Sequence, residues 1–293
     1  MEQTRRISFA GNTITVNFKG QAAARVIDLL YRHIEEGNAE NSCFTYELEE
    51  NADSGLIALR REQELLYEGH DAGMAGETLL SDSCYQLAAH SRTGLLFHGA
   101  VLGWQGQGLL LPGASGAGKS TLTAWLVSHG FDYLSDELAF IPWQTDIIKP
   151  LTRPINLKSP SRPILEKRFD FEANRANMLV SPYGYFIPPQ RLRDHPLHSE
   201  TPLKTIIFPR YRADGGFDCE GLSKAQAGLS LMQTLINARN LPEHGFQEVV
   251  RLVRHVPAYT LTYNNFDGIA AYIQDICASN ACKEIETNKK AAG

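Results

Sequence analysis

Residues 109–130 read LLLPGASGAGKSTLTAWLVSHG and contain the strongest structural signal of the chain. The apolar run at residues 109–111 predicts a short buried strand, and residues 120–129 predict an amphipathic helix that stops at Gly130. Between them, residues 113–120 match the pattern G-x-x-x-x-G-K-[ST] in full. A strand, a glycine-rich loop and a helix in this order predict a phosphate-binding loop.

The residue types in this loop suit the binding of a nucleotide. Its glycines let successive backbone N–H groups point inward as a nest for an anion, and the helix that follows adds the positive end of its dipole. Lys119 is placed to reach the outer phosphates, and the hydroxyl of Ser120 is a ligand for Mg²⁺. The predicted nucleotide-binding residues are Gly113, Ala114, Ser115, Gly116, Ala117, Gly118, Lys119, Ser120 and Thr121.

Two acidic residues and a histidine are further candidates for this site. Asp136 and Glu137 lie between two short apolar runs, just after the loop helix turns back, which predicts an acidic pair at a strand edge beside the loop. An exposed turn with two surface acids is the alternative. His98 lies in the apolar strand before the loop strand, where an imidazole can hydrogen-bond a carboxylate or a phosphate. A lone histidine in such a strand is also commonly a core residue.

Composition excludes several classes of protein. The 293 residues are 43% hydrophobic and 21% charged, as in globular rather than disordered chains. A net charge of −5 argues against a protein that coats nucleic acid. No apolar run reaches the length of about 18 residues that a membrane span needs, and none near the N-terminus resembles a signal peptide. Five scattered cysteines predict reduced thiols, and we therefore expect a cytoplasmic protein with no nucleic-acid partner.

The chain divides into three predicted parts. Residues 1–94 alternate short strand and helix patterns and predict a small α+β lead-in, residues 95–282 predict the α/β domain that carries the loop, and residues 283–293 predict a flexible polar tail. Within the second part, residues 142–202 hold most of the fourteen prolines. They predict loops and one helix at residues 161–169. Their basic residues, Arg153 among them, could attract an acidic or phosphorylated partner, and a solvated loop with scattered charges is the alternative.

These motifs together resemble the HPr kinase/phosphorylase superfamily, in its divergent HPr kinase-related (serine kinase) branch. That family has a His-Gly before the loop strand, a G-x-S-G-x-G-K-S loop and an acidic pair after a short helix. Here these motifs correspond to His98-Gly99, residues 113–120 and Asp136-Glu137. The resemblance is close over residues 95–141 and weaker at residues 153–158, 208–211 and 256–263. It implies a fold akin to phosphoenolpyruvate carboxykinase, with the loop at the edge of a mixed sheet.

The resemblance also implies an activity and a role for each residue. The activity is an ATP-dependent, Mg²⁺-dependent kinase that transfers the γ-phosphate to a hydroxyl, with a Ser of a protein or peptide as the expected acceptor. Asp136 would take the proton of that hydroxyl, and His98 would orient it. Lys119 would stabilise charge on the transferred phosphoryl group, while Ser120 and Glu137 would hold Mg²⁺.

Arg210 and Lys158 are the candidates for a clamp on the phosphate or the acceptor, since cationic side chains bind phosphate oxygens. A surface salt bridge is the alternative for Arg210. Thr121 and Glu137 depart from the family, which usually carries Glu and Asp at these positions, so HPr is not the acceptor that we predict. Two other functions stay open: a nucleotide-gated binding or regulatory module, and a nucleoside-triphosphate hydrolase. The hexamers of the family also leave a homo-oligomer open.

Overall fold

The computed structural model describes residues 2–34, 36–37, 42–194 and 199–279, so the tail predicted at residues 283–293 lies outside the described residues. The helices are α1 (Gln21–Tyr31), α2 (Ala72–Ala89), α3 (Lys119–Val127), α4 (Arg162–Leu165), α5 (Lys224–Thr234), α6 (Phe246–His255) and α7 (Ile269–Ser279). The strands are β1 (Gln3–Phe9), β2 (Asn12–Lys19), β3 (Ser42–Glu50), β4 (Ile57–Arg61), β5 (Glu64–Gly69), β6 (Gly94–Trp104), β7 (Gln107–Pro112), β8 (Asp132–Ser135), β9 (Leu138–Pro142), β10 (Ile147–Ile148), β11 (Ile155–Lys158), β12 (Leu179–Ser181), β13 (Gly184–Ile187), β14 (Thr201–Tyr211), β15 (Asp218–Gly221) and β16 (Ala258–Tyr263).

The largest sheet formed by the described residues has the strand order β15-β16-β14-β7-β6-β8, with β10 paired to β14 and β9 paired to β6. Strand β14 is parallel to both β7 and β16, whereas β6 is antiparallel to β7, β8 and β9. The predicted α/β class with a mixed sheet is therefore confirmed. Strand β7 is an interior strand of this sheet, and the loop begins at its carboxyl end.

The sequence of β7 explains this interior position. Leu109, Leu110 and Leu111 are all fully buried. Leu109 and Leu111 belong to an apolar cluster with α3 and α7, and Leu110 belongs to a second cluster with α5 and α6 on the opposite face. A strand that is covered on both faces needs an unbroken apolar run, because successive side chains point to opposite sides of the sheet.

The N-terminal part forms a five-stranded sheet in the order β1-β2-β3-β4-β5, covered by α1 and α2. Its apolar core continues into the rest of the chain, because the same cluster includes Leu96, Phe140 and Leu179. Helix α2 begins at Ala72. Asp71 explains this start, since its carboxylate accepts hydrogen bonds from the backbone N–H groups of Gly73 and Met74.

Most of the described residues between 142 and 202 lie outside helices and strands, as predicted, but the segment also contains strands that were not predicted. This region contains β10 and a three-stranded antiparallel sheet in the order β11-β13-β12. The helix predicted at residues 161–169 is a single turn, Arg162–Leu165. Prolines flank the strands of this small sheet and do not interrupt its hydrogen bonds, so a high proline content did not prevent sheet formation.

The described cysteines differ in oxidation state. Cys43, Cys84 and Cys277 are free thiols, but Cys219 is disulfide-bonded, so the expectation of reduced thiols throughout is wrong at that position. Among the described helices, none is both long enough and apolar enough to cross a bilayer.

Candidate active site

The glycine-rich loop connects the end of β7 to the first turn of α3. Gly118 is the residue before α3 and has a φ of 84°, and Gly116 has a φ of 88°. Both values lie in the left-handed region that glycine adopts without strain. Among the described residues, no side chain caps the N-terminus of α3. The first backbone N–H groups of the helix therefore remain available to an anion.

The ammonium group of Lys119 lies inside this loop. Its Nζ donates hydrogen bonds to the carbonyl oxygens of Gly113 and Ala114, at 2.7 and 2.8 Å. Only 6% of the residue is exposed, and burial lowers the pKa of the side chain below its usual value. The loop carbonyl groups thus hold the buried ammonium group of Lys119. A phosphate oxygen can replace these carbonyls as its hydrogen-bond partner.

Asp136 follows β8 and brings a carboxylate to the hydroxyl of the loop. Ser120 Oγ donates a hydrogen bond to Asp136 Oδ1 at 3.2 Å. The second oxygen, Asp136 Oδ2, is buried and has no hydrogen-bond partner among the described residues. Burial raises the pKa of this carboxyl above its usual value. A buried carboxylate oxygen without a partner fits a site that a cation or a substrate hydroxyl completes.

Arg153 holds the two acids in place. Its side chain is fully buried; its Nε donates to the carbonyl oxygen of Asp136 at 2.7 Å, and its Nη2 donates to Glu137 Oε2 at 2.6 Å. Glu137 has a φ of 85°, an uncommon conformation for this residue type. The charge of Arg153 lowers the pKa of Glu137, whose side chain is 49% exposed. The expectation that Arg153 attracts an acidic partner is therefore wrong, because its guanidinium is internal.

His98 and Gly99 connect the loop to the acidic pair through the backbone of β6. The carbonyl oxygen of His98 accepts from Gly113 N at 3.2 Å, and Gly99 N donates to the carbonyl oxygen of Glu137 at 3.1 Å. The imidazole of His98 is half-buried, and both this burial and the charge of Lys119 lower its pKa. A neutral imidazole offers one donor and one acceptor, so it can orient a hydroxyl.

One cavity of about 170 Å³ joins these groups. Its walls are His98, Ser115, Gly116, Gly118, Lys119, Ser120, Thr121, Asp136, Glu137, Asn156, Lys158 and Ser161. Of the two predicted clamp residues, only Lys158 lines it. Arg210 instead lines a neighbouring cavity of about 350 Å³, together with Gly113, Ala114 and Ala117 of the loop and with His98, which lines both cavities. The fold therefore brings most of the predicted residues to the first cavity and places Arg210 in the neighbouring one.

Two residues of the cavity wall were not predicted. Asn156 and Ser161 come from β11 and the turn after it, and Ser161 Oγ accepts a hydrogen bond from Thr121 Oγ1 at 2.7 Å. The alternation of apolar Ile155 and Leu157 with polar neighbours is the sequence signal that places Asn156 and Lys158 on one face. That signal does not show which cavity this face borders.

Comparison with known proteins gives little further identification. No protein-family profile matches the chain, and no curated protein sequence matches it. Among solved structures, the HPr(Ser) kinase/phosphatase from Coxiella burnetii matches with a TM-score of 0.34 and 10% sequence identity. That match covers 63% of this chain and 89% of the other. A likeness this weak identifies neither the family of this chain nor its function.

Proposed function

We propose that this chain is an ATP-dependent, Mg²⁺-dependent kinase of the HPr kinase-like type, which transfers the γ-phosphate to a Ser hydroxyl of a protein or peptide. One observation carries the proposal. The loop hydroxyl of Ser120 contacts the buried carboxylate of Asp136, whose second oxygen has no partner among the described residues, in the cavity that Lys119 also lines. The loop hydroxyl can ligate Mg²⁺ on the nucleotide, and the second carboxylate oxygen can accept the proton of an acceptor hydroxyl.

The donor set fits Mg²⁺ held together with phosphate oxygens. Mg²⁺ is usually bound by one or two carboxylates, several waters and the phosphates of the substrate. Ser120 and Glu137 supply a hydroxyl and a carboxylate from the cavity wall, and the described residues contain no cluster of three or more His, Cys, Asp or Glu that would hold a metal alone. When bound, the ion neutralises charge on the phosphates.

The remaining steps belong to the side chains of this site. The acceptor oxygen forms a bond to the γ-phosphorus while the bond from that phosphorus to the β–γ bridging oxygen breaks, and ADP leaves. Asp136 takes the proton of the acceptor hydroxyl, and its raised pKa makes it a stronger base than an exposed aspartate. His98 orients the hydroxyl, and Lys119 exchanges its loop carbonyl partners for phosphate oxygens.

The test combines binding and transfer in the same samples. Purified protein is titrated with ATP, GTP and ADP in the presence of Mg²⁺, and phosphate release is followed together with the labelling of a Ser-containing peptide library from γ-labelled ATP. We expect ATP binding, slow release of phosphate and labelled peptides. Steady release without labelling would favour a hydrolase, binding without either would favour a regulatory module, and absence of binding would overturn nucleotide binding itself.

A further inference from the structure

The phosphate loop has two flanks with different chemistry. In the strand order β16-β14-β7-β6-β8, the strand that precedes Asp136 lies on one side of β7, while β14 and β16 lie on the other. Because β14 and β16 are parallel to β7, their carboxyl ends meet the loop at the same edge of the sheet. Ligands of open α/β sheets bind outside this edge.

Three aromatic rings occupy the flank away from Asp136. Tyr211 ends β14, Tyr263 ends β16, and Phe266 follows in the next turn. The ring of Tyr211 stacks on Phe266 at a centroid distance of 6.3 Å and an interplanar angle of 25°, and it meets Tyr263 edge-on at 5.6 Å. Tyr263 and Phe266 are buried, whereas Tyr211 is 44% exposed. Tyr211 therefore packs on two buried rings while a large part of the residue remains exposed.

These rings lie directly against the loop. A Cβ atom placed on Gly118 would lie 3.2 Å from Tyr263 Oη and 3.4 Å from Tyr211 Cβ. The hydroxyl of Tyr263 is buried and has no hydrogen-bond partner among the described residues. Gly118 is also the residue from which α3 starts, next to the backbone N–H groups that would hold phosphates.

We propose that Tyr211 is the stacking platform for the base of the nucleotide whose phosphates this loop holds. The proposal rests on the nucleotide binding of the proposed function. With the outer phosphates directed to Ser120 and Asp136, the nucleoside extends toward the opposite flank, where Tyr211 is the exposed aromatic ring next to Gly118. Stacking on an aromatic face suits any nucleobase, because every base has a π face.

The test separates the contribution of the base from that of the phosphates. Binding of Mg²⁺-ATP and of Mg²⁺-tripolyphosphate, which has no base, is measured by calorimetry. For Tyr211→Ala we expect ATP binding to weaken by roughly ten-fold or more, as loss of a base-stacking ring does, with tripolyphosphate affinity unchanged. Tyr211→Phe keeps the ring and retains ATP affinity. Tyr85→Ala, which removes a ring that is 68% exposed on α2, is the matched control and changes neither affinity.

The other outcomes contradict the proposal in distinguishable ways. Equal losses for ATP and tripolyphosphate would show that Tyr211 only supports the loop, and no loss for either would show that the base lies elsewhere; in both cases the proposed function stands. A wild-type protein that binds neither probe would overturn the proposed function and the platform together. If Tyr211→Ala does not fold, Tyr211→Leu replaces it, because leucine keeps the apolar cover and removes the π face.

Discussion

At Asp136, the burial that raises the pKa of the proposed base also lowers the stability of the fold at neutral pH. Its carboxyl is 1% exposed, and burial raises its pKa above the ordinary 3.8, so the native state binds this proton more tightly than the unfolded chain does. The contribution of Asp136 to stability therefore falls as the pH rises from the ordinary pKa through the raised one. We expect Asp136→Asn to melt at a higher temperature than wild type at pH 7, with the difference shrinking toward acidic pH.

The same substitution removes the proposed base. We expect Asp136→Asn to lose peptide labelling by a factor of 100 or more, the order that general base catalysis contributes (about 10²–10⁴-fold), with little change in ATP affinity. Asp53→Asn, an exposed turn residue far along the chain, is the control for loss of one negative charge. Wild-type labelling by Asp136→Asn would assign the proton transfer to another group, and a lower melting temperature at pH 7 would contradict the cost of burial.

Arg153 is the second residue whose role is set by burial. Arg153→Met leaves the carbonyl of Asp136 without its donor and Glu137 without its ion pair, and we expect a loss of about 1–3 kcal/mol in the free energy of unfolding. Arg153→Lys restores the charge but cannot form both bonds, because an ammonium lacks the planar fork of a guanidinium. It should recover part of the stability and little of the labelling.

The pH dependence of ATP binding by Arg153→Met distinguishes loss of the ion pair with Glu137 from a packing defect. Without the arginine, the pKa of Glu137 rises toward its ordinary value, so the acidic limb of ATP binding should move to higher pH. Arg32→Met removes an exposed arginine paired with Asp28 on α1 and should cost less than about 1 kcal/mol. An unchanged acidic limb in Arg153→Met would show that Glu137 does not act in binding.

At the scale of an element, the junction of the loop with α3 depends on Gly118. Gly118→Ala places a methyl group in a left-handed conformation beside Tyr263 Oη, and we expect it to cost about 1–2 kcal/mol and to abolish measurable ATP binding. Gly106→Ala is the matched control, because Gly106 has a φ of 75° in the β6–β7 turn and its Cβ would meet no described atom within 4 Å. Both variants should lose similar stability. Loss of ATP binding in both would indicate a general unfolding effect.

At the scale of the whole molecule, the first turn of α2 packs on the backbone of β12. A Cβ at Gly73 would lie 1.9 Å from the carbonyl oxygen of Val180, so Gly73→Ala must push the N-terminal part away from the small sheet. We expect a loss of about 1–3 kcal/mol in the free energy of unfolding, as for overpacked cores. Because the two parts share one apolar cluster, denaturation should show one transition by circular dichroism and by fluorescence alike.

Gly228→Ala in α5 is the control for this effect. Its Cβ would lie 3.8 Å from Val253 Cγ2, an ordinary contact, and alanine is the better helix former. It should be neutral or stabilising. Two separate transitions in the wild type would show that residues 1–94 fold as a domain of their own, which is the boundary that the sequence predicts.

Much of the fold was predictable because its signals are local. The apolar runs of β6, β7, β9 and β16 and the turn of β4 into β5 each follow from a few neighbouring residues. The small sheet of β11, β12 and β13 was not predictable, because its strands are only three or four residues long and β11 pairs with β13 across the whole segment 159–183. Arg153 was missed for a related reason, since a charged residue looks exposed until the partners that bury it are known.

The sequence by itself determined the strand, the glycine-rich loop and the helix, because hydrophobic period and glycine positions act over about a dozen adjacent residues. Only the tertiary structure decided which side chains share the cavity: it admits Lys158, Asn156 and Ser161 and excludes Arg210. The physical reason is that alternation along a strand assigns a residue to one face or the other, whereas the order of strands in the sheet decides what that face meets.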